Sequence, residues 1–192
     1  MDVILLFLEK SSGIALLVMG VLSIYFVVIL WIFIYRYINL SVLEASEKSA
    51  LESRFRDSRS LLGGKSVLDR CLKSGRPISR ELLDVCKTKV SRDATSGLTF
   101  LSIVASTAPF IGLFGTIVKI LDAFAQLGVT QEGTLNAIAP VISEALIATA
   151  AGILVAIPAY SFHLVIRRKA YDVVNTVEMH INLILSKKEK DE

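Results

Sequence analysis

Glu144 is the residue whose type and position could do chemistry. It stands at the head of an apolar block, Ala145–Ile166, in which His163 is the only side chain that can carry a charge near neutral pH. A carboxylate at hydrocarbon depth costs about 2.5–3.5 kcal/mol on insertion scales, and such groups mark proton or ion paths. On a helical wheel Glu144 shares a face with Ala148, Ala151 and Val155. Leu146, Ile153, Ile157 and Tyr160 gather on the opposite side, the side expected to meet lipid. Glu144 is therefore expected to point towards protein or a water-filled cavity. The plainer alternative is a structural hydrogen bond near a membrane surface, since Glu144 is only about two turns from the expected helix start.

Thr116 offers a hydroxyl that could hold a water or relay a proton. It ends a stripe of small or hydroxylated residues, Ser102, Ala105, Ser106, Pro109, Gly112 and Thr116, which falls within an arc of about 120°. Small residues let helix backbones approach in lipid, and hydroxyls bond across the contact, so a close helix–helix interface explains part of this pattern. Thr149 lies about 140° from Glu144 on an ideal helix. It shares a second small stripe with Ala145, Gly152 and Ala156. Spacing alone assigns Thr149 to packing, although Pro140 and Pro158 can bend the helix and change that angle.

The elements that would position these residues follow from composition. The 192 residues are 53% hydrophobic and 20% charged, with a mean hydropathy of +0.61. A soluble domain sits nearer about 45–50% apolar. Gly13–Tyr35 and Leu98–Val118 carry no charge at all, and these two blocks, like Ala145–Ile166, exceed the roughly 18 uncharged residues of a spanning helix. A disordered chain, a secreted disulfide scaffold and an ordinary soluble enzyme are excluded. The expectation is an all-α integral membrane protein with three transmembrane helices, 13–35, 98–121 and 137–166. A tail over 1–12, a helical loop over 36–97, a short connection over 122–136 and a C-terminal helix over 167–192 complete it.

Charge sets the expected topology. Residues 36–97 hold 13 Lys/Arg against 8 Asp/Glu, whereas 122–136 hold no Lys or Arg. The positive-inside rule then places the 36–97 loop and the C-terminus in the cytoplasm, with the N-terminus and the 122–136 loop outside. The basic loop is a topology signal rather than a nucleic-acid surface. The first apolar run is too long for a cleaved signal peptide, and no small-x-small site follows it before Arg36. It reads as a retained anchor, with Trp31, Phe33, Tyr35 and Tyr37 as an aromatic belt.

The 36–97 loop is helical in pattern. Gly63-Gly64 and Gly75-Arg76-Pro77 break it, and Ser79 is the expected N-cap of a piece carrying Leu82, Leu83, Cys86 and Val90. Ala170, Val173, Val174, Val177, Ile181, Ile184 and Leu185 recur at helical spacing in the C-terminal segment. Cys71 and Cys86 fall in the expected cytoplasmic loop, where thiols stay reduced, so they are read as buried packing residues. Gly64-Lys65-Ser66 resembles the end of a P-loop, but Arg59 occupies the required upstream glycine position. His163 and His180 have no second ligand in register. No catalytic nucleophile, metal site or cofactor motif is read, and an enzyme is not expected.

The motifs around these residues resemble the ExbB/TolQ/MotA proton-channel family. The resemblance is carried by Ala108-Pro109-Phe110-Ile111-Gly112-Leu113-Phe114-Gly115-Thr116, by Ala139-Pro140, by Glu144-Ala145-Leu146-Ile147-Ala148-Thr149-Ala150 and by Ala156-Ile157-Pro158-Ala159. It implies a bacterial inner-membrane homopentamer around two copies of a single-span TolR/ExbD-like partner bearing a transmembrane Asp. Protons would be the coupling ion, and the force would pass to a TolA/TonB-like effector. By motif position it makes Thr116, Glu144 and Thr149 the proton path. Ser106, Pro109, Gly112, Gly115, Ala145, Ala148 and Gly152 would be pore wall and helix packing. Compact length, a short tail after the third helix and the Glu-Ala-Leu-Ile-Ala-Thr wording resemble the TolQ branch more than the ExbB branch. A passive membrane scaffold, in which the small stripes serve packing alone, is the alternative of another class.

Overall fold

A computed structural model describes residues 13–56, 66, 67, 71, 79–130 and 135–191. The expected tail over 1–12 and the breaks at Gly63-Gly64 and Gly75-Arg76-Pro77 lie outside these residues. Among the described residues all regular structure is α-helical: α1 (Gly13–Arg56), α2 (Arg80–Thr95), α3 (Leu98–Thr130) and α4 (Leu135–Asp191). Three helices are long and apolar enough to cross a membrane, one in α1, one in the run of α2 and α3, and one in α4. The charged sequence of α2 leaves α3 as the apolar part of the second.

Contacts divide the chain into two compact units, Met1–Trp31 with Thr99–His163, and Ile32–Leu98 with Leu164–Glu192. In the first unit Val18 and Leu22 of α1, Leu101, Val104 and Ala108 of α3, and Ala145, Val155 and Ala159 of α4 are buried. Gly115 marks where three helices meet. A Cβ there would lie 3.0 Å from Val18 Cγ1 and 3.3 Å from Ala148 Cβ. Tyr25 and Phe100 add an edge-to-face ring contact at 6.4 Å. Leu17, Val27, Trp31, Phe110, Leu154 and Ile157 are exposed, as side chains solvated by lipid can be. The expected lipid face of α4, Leu146, Ile153, Ile157 and Tyr160, is exposed throughout. Pro109, Pro140 and Pro158 all sit within continuous helix.

The second unit is built on the later parts of α1 and α4, with α2. Leu83, Cys86, Val90 and Ala94 form the buried face of α2, and Ala170, Val173, Val177, Ile181 and Ile184 that of α4. Ser79 caps α2 as expected, its hydroxyl accepting from Leu82 N at 3.3 Å. At the other end, Arg36 Nη2 donates to the carbonyls of Asp93 and Ala94 at 2.6 and 2.7 Å. These are carbonyls a helix end leaves without intrahelical partners. Gly97, at φ +81°, then takes the left-handed conformation that only glycine adopts freely before α3 begins.

One expectation is corrected here. Cys71 and Cys86 are joined as a disulfide, with Cα atoms 6.1 Å apart, rather than packing as two thiols. A cytoplasmic setting bears on the ambient redox environment, not on which cysteines meet. The 15-residue separation crosses expected chain breaks, so spacing does not reveal that Cys71 falls against the buried face of α2.

The unit also holds a buried polar cluster that the sequence reading passed over. Glu47 is fully buried; its Oε1 accepts from Val67 N and its Oε2 from the Ser66 hydroxyl, both at 2.7 Å. His180, also fully buried, places Nδ1 3.3 Å from Glu47 Oε2. Burial pushes the Glu47 carboxyl up, but the approach of His180, the Val67 N–H and the Ser66 hydroxyl together hold it below the usual carboxylate range. Nearer the surface, Glu44 pairs with Lys48 at 2.6 Å and Lys169 at 3.3 Å. Lys169 also lies over the Tyr37 ring at 4.7 Å.

Candidate functional site: the seam between α3 and α4

The first unit brings α3 and α4 together along facing stripes. Ala108, Gly112, Thr116 and Lys119 of α3 meet Gly152, Ala148, Thr149, Ala145 and Glu144 of α4. A Cβ on Gly112 would lie 2.6 Å from Ala148 O, and one on Gly152 would lie 2.6 Å from Ala108 O. Backbone therefore packs on backbone, which only glycine permits at that separation.

Next along the seam come the hydroxyls. Thr116 Oγ1 lies 2.5 Å from Thr149 Oγ1, 3.1 Å from Ala145 O and 3.3 Å from Gly112 O. A threonine hydroxyl has one proton to donate and two lone pairs. When Thr116 donates to Ala145 O, its oxygen accepts from Thr149, giving a two-hydroxyl chain across the interface. About one turn farther along α3, Lys119 Nζ donates to Glu144 Oε2 at 2.7 Å. The lysine side chain is 10% exposed and the glutamate side chain 35% exposed. Glu144 thus sits at the rim of the seam and the ammonium within it.

The residues singled out in the sequence divide as follows. Thr116, Glu144, Thr149, Gly112, Ala145, Ala148 and Gly152 come together in this seam, and Gly115 beside it faces α1 as well. Ser106 and Pro109 do not join it. With Ser102 and Ala105 they line an open groove of about 570 Å³ whose other wall is Ile153, Ala156, Ile157, Tyr160 and Ser161. Ser106 is exposed, its hydroxyl turned back to Ile103 O at 3.0 Å. The expected small stripe of α3 therefore serves two surfaces, Gly112 and Thr116 in the contact and Ser102 to Pro109 along the groove. Thr149, which spacing assigned to packing, does pack, and its hydroxyl meets Thr116. Lys119 was missed. Its signal is a charge three residues after Thr116, inside the expected span 98–121 but just past the uncharged block that ends at Val118.

Comparison with known proteins bears on this arrangement. The model of the MotA/TolQ/ExbB proton channel family matches residues 65–179, which include the whole seam. An ExbB-like biopolymer transport protein of Helicobacter pylori is 43% identical over 188 residues, 98% of this chain and 100% of the relative. The Tol-Pal system protein TolQ of Pseudomonas aeruginosa is 52% identical over 64 residues, 33% of this chain and 28% of the relative. The biopolymer transport protein ExbB of Pseudomonas putida is 46% identical over 77 residues, 40% of this chain and 23% of the relative.

Proposed function

The chain belongs to the MotA/TolQ/ExbB proton channel family, and on that premise we propose that it is the channel-forming subunit of an inner-membrane, proton-driven motor of the ExbB-like branch. One observation carries the reading: two bonded threonine hydroxyls and a carboxylate stack along a single seam between two apolar helices. Hydroxyls and carboxylates exchange protons, and intramembrane placement makes them costly unless used. Thr116, Glu144 and Thr149 are the proton path in this reading, protons are the coupling ion, and no cofactor is required.

The subunit works as a homopentamer with a single-span ExbD/TolR-like protein carrying a transmembrane Asp. The pair energises a TonB/TolA-like effector. Its N-terminus and the 122–136 loop face outwards, and the 36–97 loop and C-terminus face the cytoplasm. Full-length similarity to the ExbB-like relative favours that branch. Compact length, which leaned towards TolQ, does not separate the two, because that relative is matched over its whole length. The TolQ-like reading, with outer-membrane integrity and cell division as the output, keeps one specific support: 52% identity to the Pseudomonas aeruginosa TolQ over a 64-residue stretch.

The test is a mild-detergent pull-down of the tagged protein from native membranes. An ExbD-like partner, with loss of chelate and cobalamin uptake on deletion, supports the reading. A TolR-like partner with envelope leakage replaces it by the TolQ-like one. Recovery of an assembled complex without any transmembrane-Asp partner leaves a passive scaffold.

A further inference from the structure

Lys119 is a positive charge within a span expected to lie in hydrocarbon, and its side chain is nearly buried in the α3–α4 seam. A charge so placed is costly unless paired, and the pairing is direct: Nζ lies 2.7 Å from Glu144 Oε2. Apart from this ammonium, the polar side-chain and carbonyl groups that meet in the seam present oxygen: the Glu144 carboxylate, the Thr116 and Thr149 hydroxyls, and the carbonyl of Ala145. Carboxylate, hydroxyl and carbonyl oxygens are the hard donors that alkali and alkaline-earth cations take. A seam of this chemistry, left without a fixed cation, would offer sodium a carboxylate at its rim.

We infer that Lys119 is a specificity-determining residue of the ion path. Its tethered ammonium holds the cation position beside Glu144, so metal cations are refused while protons pass. This rests on the proton-channel reading above. The two ions differ in what they need. Sodium must exchange its hydration shell for protein oxygens and meets a fixed like charge at the carboxylate it would use. A proton moves by exchange of hydrogen bonds between hydroxyls and water, and needs no coordination shell. Lys119 is a positioning residue in this scheme: it acts through Glu144, keeping one carboxylate oxygen engaged and the other at the exposed rim.

The experiment uses native-membrane vesicles carrying the complete complex, with radiolabelled sodium uptake and dye-reported proton uptake followed in parallel. The wild type takes up protons and excludes sodium. Lys119→Met, which keeps the chain length and removes the charge, raises sodium uptake roughly tenfold. Lys119→Arg stays at the wild-type sodium level. The double variant K119M/E144Q falls back towards that level, because the carboxylate that would hold sodium is gone. Should K119M assemble poorly, Lys119→Gln gives the same readout, since its amide still donates to Glu144 without charge. Unchanged sodium uptake in assembled K119M or K119Q vesicles overturns the inference and leaves the channel reading standing. A wild type that takes up no protons overturns the channel reading, and the inference with it.

Discussion

Single atoms decide how the seam tolerates change. A methyl added at Gly112 or Gly152 would meet a backbone carbonyl oxygen at 2.6 Å, and backbone cannot swing aside as a side-chain tip can. Gly112→Ala and Gly152→Ala should each lower stability by about 1–3 kcal/mol, as overpacked cores do, seen as a drop in melting temperature in detergent. Gly20→Ala is the control: nothing lies within 4 Å of its added methyl. It should melt no lower than wild type, because alanine favours helix by about 1 kcal/mol over glycine. Thr116→Val and Thr149→Val remove the same hydroxyl contact from opposite helices. Each should cost about 0.6–1.7 kcal/mol. The double variant should cost little more than Thr116→Val alone, which also gives up the bond to Ala145 O, and full additivity in a double-mutant cycle would argue against a shared bond. Glu144 and Thr116 were legible in the sequence because a polar group in a long apolar block stands out without any structure. The Lys119–Glu144 pair was not, because it joins residues 25 apart on two helices whose rotation only packing determines.

Helices with defined ends set the second unit. Ser79 was readable as a cap because a serine followed by apolar residues at helical spacing is a local signal. Ser79→Ala should cost about 1 kcal/mol, measured as a lower unfolding midpoint. The Arg36 cap on α2 was not readable, since it spans 57 and 58 residues to its two carbonyls. Glu47 was equally hidden: a glutamate among Lys and Ser reads as solvated surface, whereas here it ties Ser66, Val67 and His180 to α1. Its folded-state carboxyl lies below the ordinary value of 4.5. The stability it supplies is therefore present above pH 4.5 and is lost as pH falls through the folded value. Glu47→Gln should lower stability at pH 7 by about 2 kcal/mol, the scale of hydrogen bonds to a charged group. The gap to wild type should narrow on acidification below pH 4.5. A gap that stays constant down to pH 3 would mean that the carboxylate charge contributes nothing there.

For the whole molecule, three apolar blocks announce three membrane helices because lipid leaves the backbone few alternatives to helix, but the order of charges along the chain is all that orients them. The short 122–136 connection, free of Lys and Arg, takes in the last residues of α3 and the first of α4, at the ends of these helices where Lys119 and Glu144 sit. If that loop faces outwards, the ion pair stands near the outer end of the seam and the threonines lie deeper. Protons driven inwards would then meet the charged pair first and the hydroxyls second. The opposite orientation would put the pair at the exit, where it could not screen entering cations. Fusions at the C-terminus and within 122–136 separate the two cases. A reporter that folds only in the cytoplasm should be active at the C-terminus, and one that needs export should be active in the short loop. The reversed pattern would contradict both the charge rule and the placing of a selective residue at Lys119.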